Sequence, residues 1–173
     1  MKREILIILA FLLPGISAAG QPSINELREV FFEMDRDSCN ALSVFERVKS
    51  AQYESALLQA YAGATEAAAA ECVKGAFTKL EYFSRGKKNI ETAIEQEPKN
   101  PEIRFLRFAT QINAPNFLEY DNTREDKEMI LTQIPVAISK GQNEHFWKNV
   151  AGFMIDSGKL SKTEITRLKD HLK

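Results

Sequence analysis

The segment from Phe83 to Phe108, FSRGKKNIETAIEQEPKNPEIRFLRF, decides the fold. Its first half places Phe83, Gly86, Ile90, Ala93 and Ile94 at the three-and-four spacing of one helical face, and Pro98 stops that helix. Asn100 then offers a side-chain oxygen to the unpaired N–H groups of a new helix, whose first residue, Pro101, has no N–H to leave unsatisfied. Two helices joined through so short a corner form a helical hairpin. Gly86, inside the first of them, costs about 1 kcal/mol against alanine. That residue is expected either where a neighbouring helix approaches closely or at a tolerated weak point.

The helical period continues on both sides of the hairpin, and nowhere does a period of two persist long enough for a sheet. Upstream, Ser23 and Glu26 form a capping box before Ile24, Leu27, Val30, Phe31 and Met34. Leu42, Phe45 and Val48 mark a second helix. Tyr53, Ala56, Leu57, Ala60, Tyr61 and Ala64 mark a third, which the alanine run Ala67 to Ala70 extends toward Gly75. The next begins at about Phe77 and carries Leu80 on its apolar side. Downstream of Pro115, Phe117, Leu118 and Tyr120 are expected to pin an irregular segment to the core, and Asn122 or Thr123 to cap the following helix. That helix carries Ile130, Ile134 and Ala137, with a kink or break predicted at Pro135. Phe146, Trp147, Val150 and Met154 build another, ending at Gly158. A second capping box, Ser161 with Glu164, opens a terminal helix through Ile165, Leu168 and Leu172. The expected fold is all-α, with about seven to nine helices packed as antiparallel hairpins in a single domain over residues 20–173.

Residues 1–19 read as a secretory signal peptide: Lys2 and Arg3, an apolar run from Ile5 to Leu13, then Pro14, Gly15 and small residues up to Ala19. The run is short of the roughly 20 apolar residues that span a bilayer. The protein is therefore expected to be exported, periplasmic or secreted, with no transmembrane segment in the mature chain. Lys and Arg number 23 against 24 Asp and Glu, so the net charge of −1 provides no footprint for nucleic acid. The only two cysteines, Cys39 and Cys72, can form a disulfide in an oxidising compartment, or serve as small buried hydrophobes.

Residue types suited to catalysis do not cluster. His145 and His171 are the only histidines, and Glu144–His145 lacks the second histidine of a zinc-protease helix. Two cysteines without a nearby histidine make neither a zinc site nor a convincing nucleophile pair. There is no Gly-x-Ser-x-Gly elbow and no glycine-rich phosphate loop. The acids from Asp121 to Glu128 lack the glycine and terminal glutamate of an EF-hand loop. No metal or cofactor is expected.

The helix from Pro101 to Ile112 is apolar on most sides and leaves Arg104, Arg107 and Gln111 as a narrow polar stripe. Guanidiniums on so buried a helix need anionic partners. The candidates are internal, such as Glu91, Glu95, Glu119 or Asp121, or belong to a bound carboxylate or phosphate. In the second case Arg104 and Arg107, with Lys88 extending the patch, form the binding site.

Gly86, Ile90, Ala93 and Pro98 follow the spacing of small, bulky, alanine and proline residues in the second helix of a tetratricopeptide repeat, which the hairpin resembles over about one repeat. Arg104, Arg107 and Phe108 depart from that pattern, standing where the family usually has an aromatic, a leucine and a glycine. The segment from Tyr61 to Ile130 also resembles a group of small secreted bacterial proteins with no assigned activity. These likenesses imply a tetratricopeptide-like helical fold and an exported location.

The function expected is non-catalytic: a protein or peptide interaction module, its groove beside the helices from Phe77 to Ile112, whose partner is another envelope or secreted protein. The alternative is a small-ligand carrier or a carboxylate-based hydrolase, with a pocket near Phe117, Tyr120 and Trp147. A third reading is a structural subunit docked on an envelope complex.

Overall fold

In a computed structural model, residues 22–34, 39–49, 55–118, 120 and 122–172 are described; the expected signal peptide, Tyr53, Glu119 and Asp121 lie outside them. The described residues form eight α-helices and one short 3-10 turn, with no strand. The helices are α1 (Ile24–Glu33), α2 (Asn40–Val48), α3 (Ala56–Ala69), α4 (Ala76–Gln96), α5 (Pro101–Asn113), α6 (Thr123–Ser139), α7 (Glu144–Asp156) and α8 (Lys162–His171); the turn is Asn116–Leu118.

Most start signals act as the residue chemistry dictates, but Asn122 makes no side-chain cap bond ahead of α6; its Oδ1 accepts from Gln111 Nε2 at 3.4 Å instead. Asn100 Oδ1 accepts from the backbone N–H of Glu102 at 3.0 Å and of Ile103 at 3.3 Å, with Pro101 opening α5. Ser161 and Glu164 cap each other reciprocally ahead of α8. Ser55 opens α3, so the alanine run ends that helix at Ala69, and a separate turn leads to Gly75. Gly75 has φ +90°, a conformation that side chains disfavour, and it sets the direction in which α4 departs.

α3 is the central element. Most of it is buried, and it packs against α2, α4 and α5, most extensively against α4. Gly63 and Gly86 lie at their crossing. A Cβ built on Gly86 would stand 2.5 Å from the Gly63 carbonyl oxygen and 2.6 Å from the Ala67 nitrogen. Only glycine admits that approach, which accounts for its presence inside a helix it otherwise weakens. Arg85 clamps the same crossing through a 2.6 Å bond to the buried Glu66.

One hydrophobic core takes residues from all eight helices, from Leu27 in α1 to Leu168 in α8. Its centre is aromatic: Phe105, fully buried, meets Phe31, Phe146 and Phe153 edge-on with ring centroids 5.4–6.0 Å apart. Such edge contacts add about 0.5–1.5 kcal/mol each beyond area burial. α6 continues through Pro135 as one helix, so of the expected kink or break no break occurs. Ile130 and Ile134 before the proline and Ala137 at its far side are all buried in the same core, and that shared packing holds the helix together despite the missing N–H.

Candidate functional site

α5 is buried along nearly its whole length, from Glu102 to Ala109. Arg104 and Arg107, on its polar stripe, converge on Asp126, a fully buried residue in the first turns of α6. Arg107 donates through Nε to Asp126 Oδ2 and through Nη2 to Oδ1, both at 2.7 Å, and through Nη1 to Glu91 Oε2 at 3.0 Å. Arg104 donates to Asp126 Oδ1 at 3.1 Å and to the Pro98 carbonyl at 2.9 and 3.0 Å, and lies 3.0 Å from Glu125. Burial pulls the Arg107 pKa down, but the bond to Asp126 and the charges of Asp126 and Glu91 outweigh it and raise it. Tyr120 donates to Glu91 Oε1 at 2.6 Å, and burial followed by this bond pushes its phenol well up, so it stays a donor.

The network joins α4, α5 and α6 in one satisfied unit. Of the partners the sequence offered, Glu91 is present, while Glu95 is exposed. The dominant acid, Asp126, was hidden in an acidic run that looks like first-turn helix chemistry. Lys88 is exposed on α4 and makes no ion pair among the described residues. The anion that Arg104 and Arg107 hold is thus supplied by the fold itself. A second buried acid, Glu102, is treated in the same way: Tyr61 donates to it at 2.8 Å, and Arg28 binds both its oxygens at 2.8 and 2.6 Å. Glu66, Glu102 and Asp126, the buried acids, each accept from an arginine.

The open feature lies elsewhere. A groove of about 560 Å³ runs between α3, α4, α5 and the end of α1. Ala64, Ala67, Ala68 and Ala109 form its floor, and Phe31, Leu80, Phe83, Phe117 and Phe153 its walls. The cause is local. Alanine is an excellent helix former that projects only a methyl group, so α3 leaves space beside it. α4 then begins beyond the end of α3, and its first two turns stand almost bare. Ala76, Lys79, Leu80 and Phe83, one face of α4, border the groove. Polar groups are few and peripheral: the Lys79 ammonium, for example, donates to the Glu71 carbonyl at 3.4 Å.

Leu80 and Phe117, which line this groove, stand in the open, as does Phe77 next to Ala76 at the start of α4. Phe77 is 91 % exposed, Phe117 78 % and Leu80 47 %. Phe117, expected to pin its segment to the core, instead projects outward from the 3-10 turn, and the pinning is done by Tyr120, which packs edge-on against Phe83. Trp147 sits in the core against Phe146, with ring centroids 5.1 Å apart. Phe117, Tyr120 and Trp147 therefore do not share a pocket. A smaller polar hollow of about 290 Å³ is bordered by Asn25, Arg28, Asn143 and His145, but its arginine is already spent on Glu102.

Cys72, in the turn after α3, lines the groove together with Ala41 of α2, two residues beyond Cys39. Among the described residues no group of three His, Cys, Asp or Glu side chains is arranged to hold a metal ion. Nor is any described helix long and apolar enough to cross a membrane. No family model, no curated protein and no solved structure matches this chain.

Proposed function

We propose that this protein is a non-catalytic interaction module of the periplasm or extracellular space, and that it captures an apolar segment of another exported protein in the alanine-floored groove. The observation that carries this reading is the exposure of Leu80 and Phe117 along a groove lined by alanine methyl groups. Exposed apolar clusters of this kind are uncommon on a chain that works alone. Aromatic anchors around an apolar trough are the usual recognition surface for one face of a partner helix. The arginine pair contributes indirectly, by fixing α5, whose Ala109 and Thr110 help to line the groove.

A second reading, a carrier of a small apolar ligand, is favoured by the volume, which falls in the range of about 300–1,000 Å³ typical of ligand pockets. The two are separated by affinity capture from envelope extract with the wild-type protein and with the doubly substituted Leu80→Asp, Phe117→Asp variant. A partner that the variant loses, and that binds again when both proteins are purified, supports the module. If solvent extraction of the purified protein instead yields a stoichiometric lipid or other apolar molecule, the carrier reading replaces it.

A further inference from the structure

Cys39 and Cys72 are the only cysteines of the chain, and two helices separate them in sequence. The fold nonetheless brings them together. Cys39 is the residue before α2 and adopts a left-handed backbone conformation, φ +53°, unusual for a residue with a side chain. Cys72 sits in the turn that leaves α3, bonded through its backbone N–H to the Ala69 carbonyl at 3.0 Å. Ala41, two residues beyond Cys39 in the first turn of α2, lines the same groove as Cys72, and α2 packs along α3, so the start of α2 lies beside the turn that carries Cys72. Neither side chain is sealed in the core; both are partly accessible. With no third ligand arranged beside them among the described residues, the pair has the chemistry of two thiols and not of a metal centre.

We propose that Cys39 and Cys72 form a reversible thiol–disulfide site which, when oxidised, staples the start of α2 to the turn between α3 and α4. The oxidant is a disulfide, either that of a thiol oxidoreductase or glutathione disulfide. In the first step a thiolate of the pair attacks the oxidant's sulfur, forming a mixed disulfide and releasing one thiol of the oxidant. In the second, the remaining thiolate displaces the oxidant's other sulfur and closes the Cys39–Cys72 bond. The protein gives up two protons and two electrons in total, and the oxidant's disulfide becomes two thiols. Burial, then the neighbouring Cys39, pushes the Cys72 thiol up to about 11, so it holds its proton at neutral pH. Cys72 is thereby suited to the second, intramolecular step, in which high effective concentration compensates for a small thiolate fraction. The staple closes a loop of about 34 residues, long enough to remove considerable freedom from the unfolded chain. The proposal does not depend on what occupies the groove.

The test is to equilibrate the purified full-length protein with mixtures of glutathione and glutathione disulfide, then to read intact mass, peptide linkage and Tm. The expected product is a monomer lighter by two hydrogens whose Cys39 and Cys72 peptides are linked, with Tm raised by roughly 10 °C over the reduced protein. Reduction reverses both changes, and Cys72→Ala, Cys39→Ser and their combination remove the redox dependence of Tm. Because the reduced wild-type protein is its own reference, the test survives a variant that fails to fold. Stable glutathione adducts on both cysteines, or links between two chains in place of the internal one, would overturn the proposal.

Discussion

The arginine stripe of α5 and the alanine floor of α3 differ in the way most useful for reading this molecule. Arg104 and Arg107 have the residue chemistry of a binding site, yet they are 7 % and 3 % exposed and engaged by Asp126, Glu91 and Glu125. The alanines have no chemistry to offer, yet they border an open groove of about 560 Å³, with large apolar side chains left in water beside it. Buried charge needs partners and tends to find them inside the fold, because an unpaired guanidinium in the core is too unfavourable to persist. Small side chains produce the opposite result: they bring helices close in one place and leave space in another.

The largest test of this contrast removes the shared anion. Asp126→Asn removes the one fully buried carboxylate that both guanidiniums share, leaving them only Glu91 and the exposed Glu125, and should lower the unfolding free energy by about 3–5 kcal/mol, measured by urea denaturation. The double Arg104→Ala, Arg107→Ala substitution strands Asp126 in the same way, so it should destabilise the fold and not merely weaken capture. A double variant that unfolds like the wild-type protein yet loses its partner would return the binding site to the arginines. Next in size is Gly86→Ala, whose new methyl group would meet the Gly63 carbonyl at 2.5 Å. Forcing α3 and α4 apart should cost about 1–3 kcal/mol, exceeding the gain in helix propensity.

How much of this was legible in the sequence depended on the range of the interaction. The α4–α5 hairpin was readable because its signals, Pro98, Asn100 and Pro101, act on neighbouring residues. The helical hairpin partner of Gly86 was half readable: a glycine in mid-helix advertises a close approach, but Gly63 lies in another helix and nothing in sequence couples the two. The stripe on α5 was visible as buried charge, while Asp126 looked no different from Glu125 or Glu128 until the angle of α6 selected the one that points inward. A groove beside the helices from Phe77 to Ile112 was expected, but with the arginines as its contacts; its alanine lining from α3 could not be read. The groove is a space left where α4 overhangs α3, and the alanine run that creates it reads only as good helix. Phe117 misled for the related reason that an aromatic in a loop is ordinarily covered, and here it is not.

Smaller effects sharpen the same contrast between buried and exposed charge. Glu164 accepts from the Ser161 backbone N–H at 2.7 Å, and that bond, ahead of the Ser161 hydroxyl and Lys127, holds its carboxyl down at about 2. A carboxylate with a depressed pKa stabilises the fold above its ordinary value of 4.5, and that contribution fades as pH falls through 2. Glu164→Gln should therefore cost about 0.5–1 kcal/mol at neutral pH, and the difference from wild type should close as the pH is taken toward 2. Smallest in stability is Phe117→Asp, which should shift the unfolding free energy by no more than about 0.5 kcal/mol because the ring supports nothing in the fold, while its effect on capture should be severe.

The most direct measurement places a photoreactive phenylalanine analogue at Phe117 in one preparation and at Lys88, the exposed lysine expected to extend the arginine patch, in another, and irradiates both in the native envelope. The account predicts a discrete protein adduct from position 117 that disappears when Leu80→Asp is added, and none from position 88. A protein adduct at 88 with none at 117 would contradict it, returning recognition to the arginine side and leaving the groove without a role.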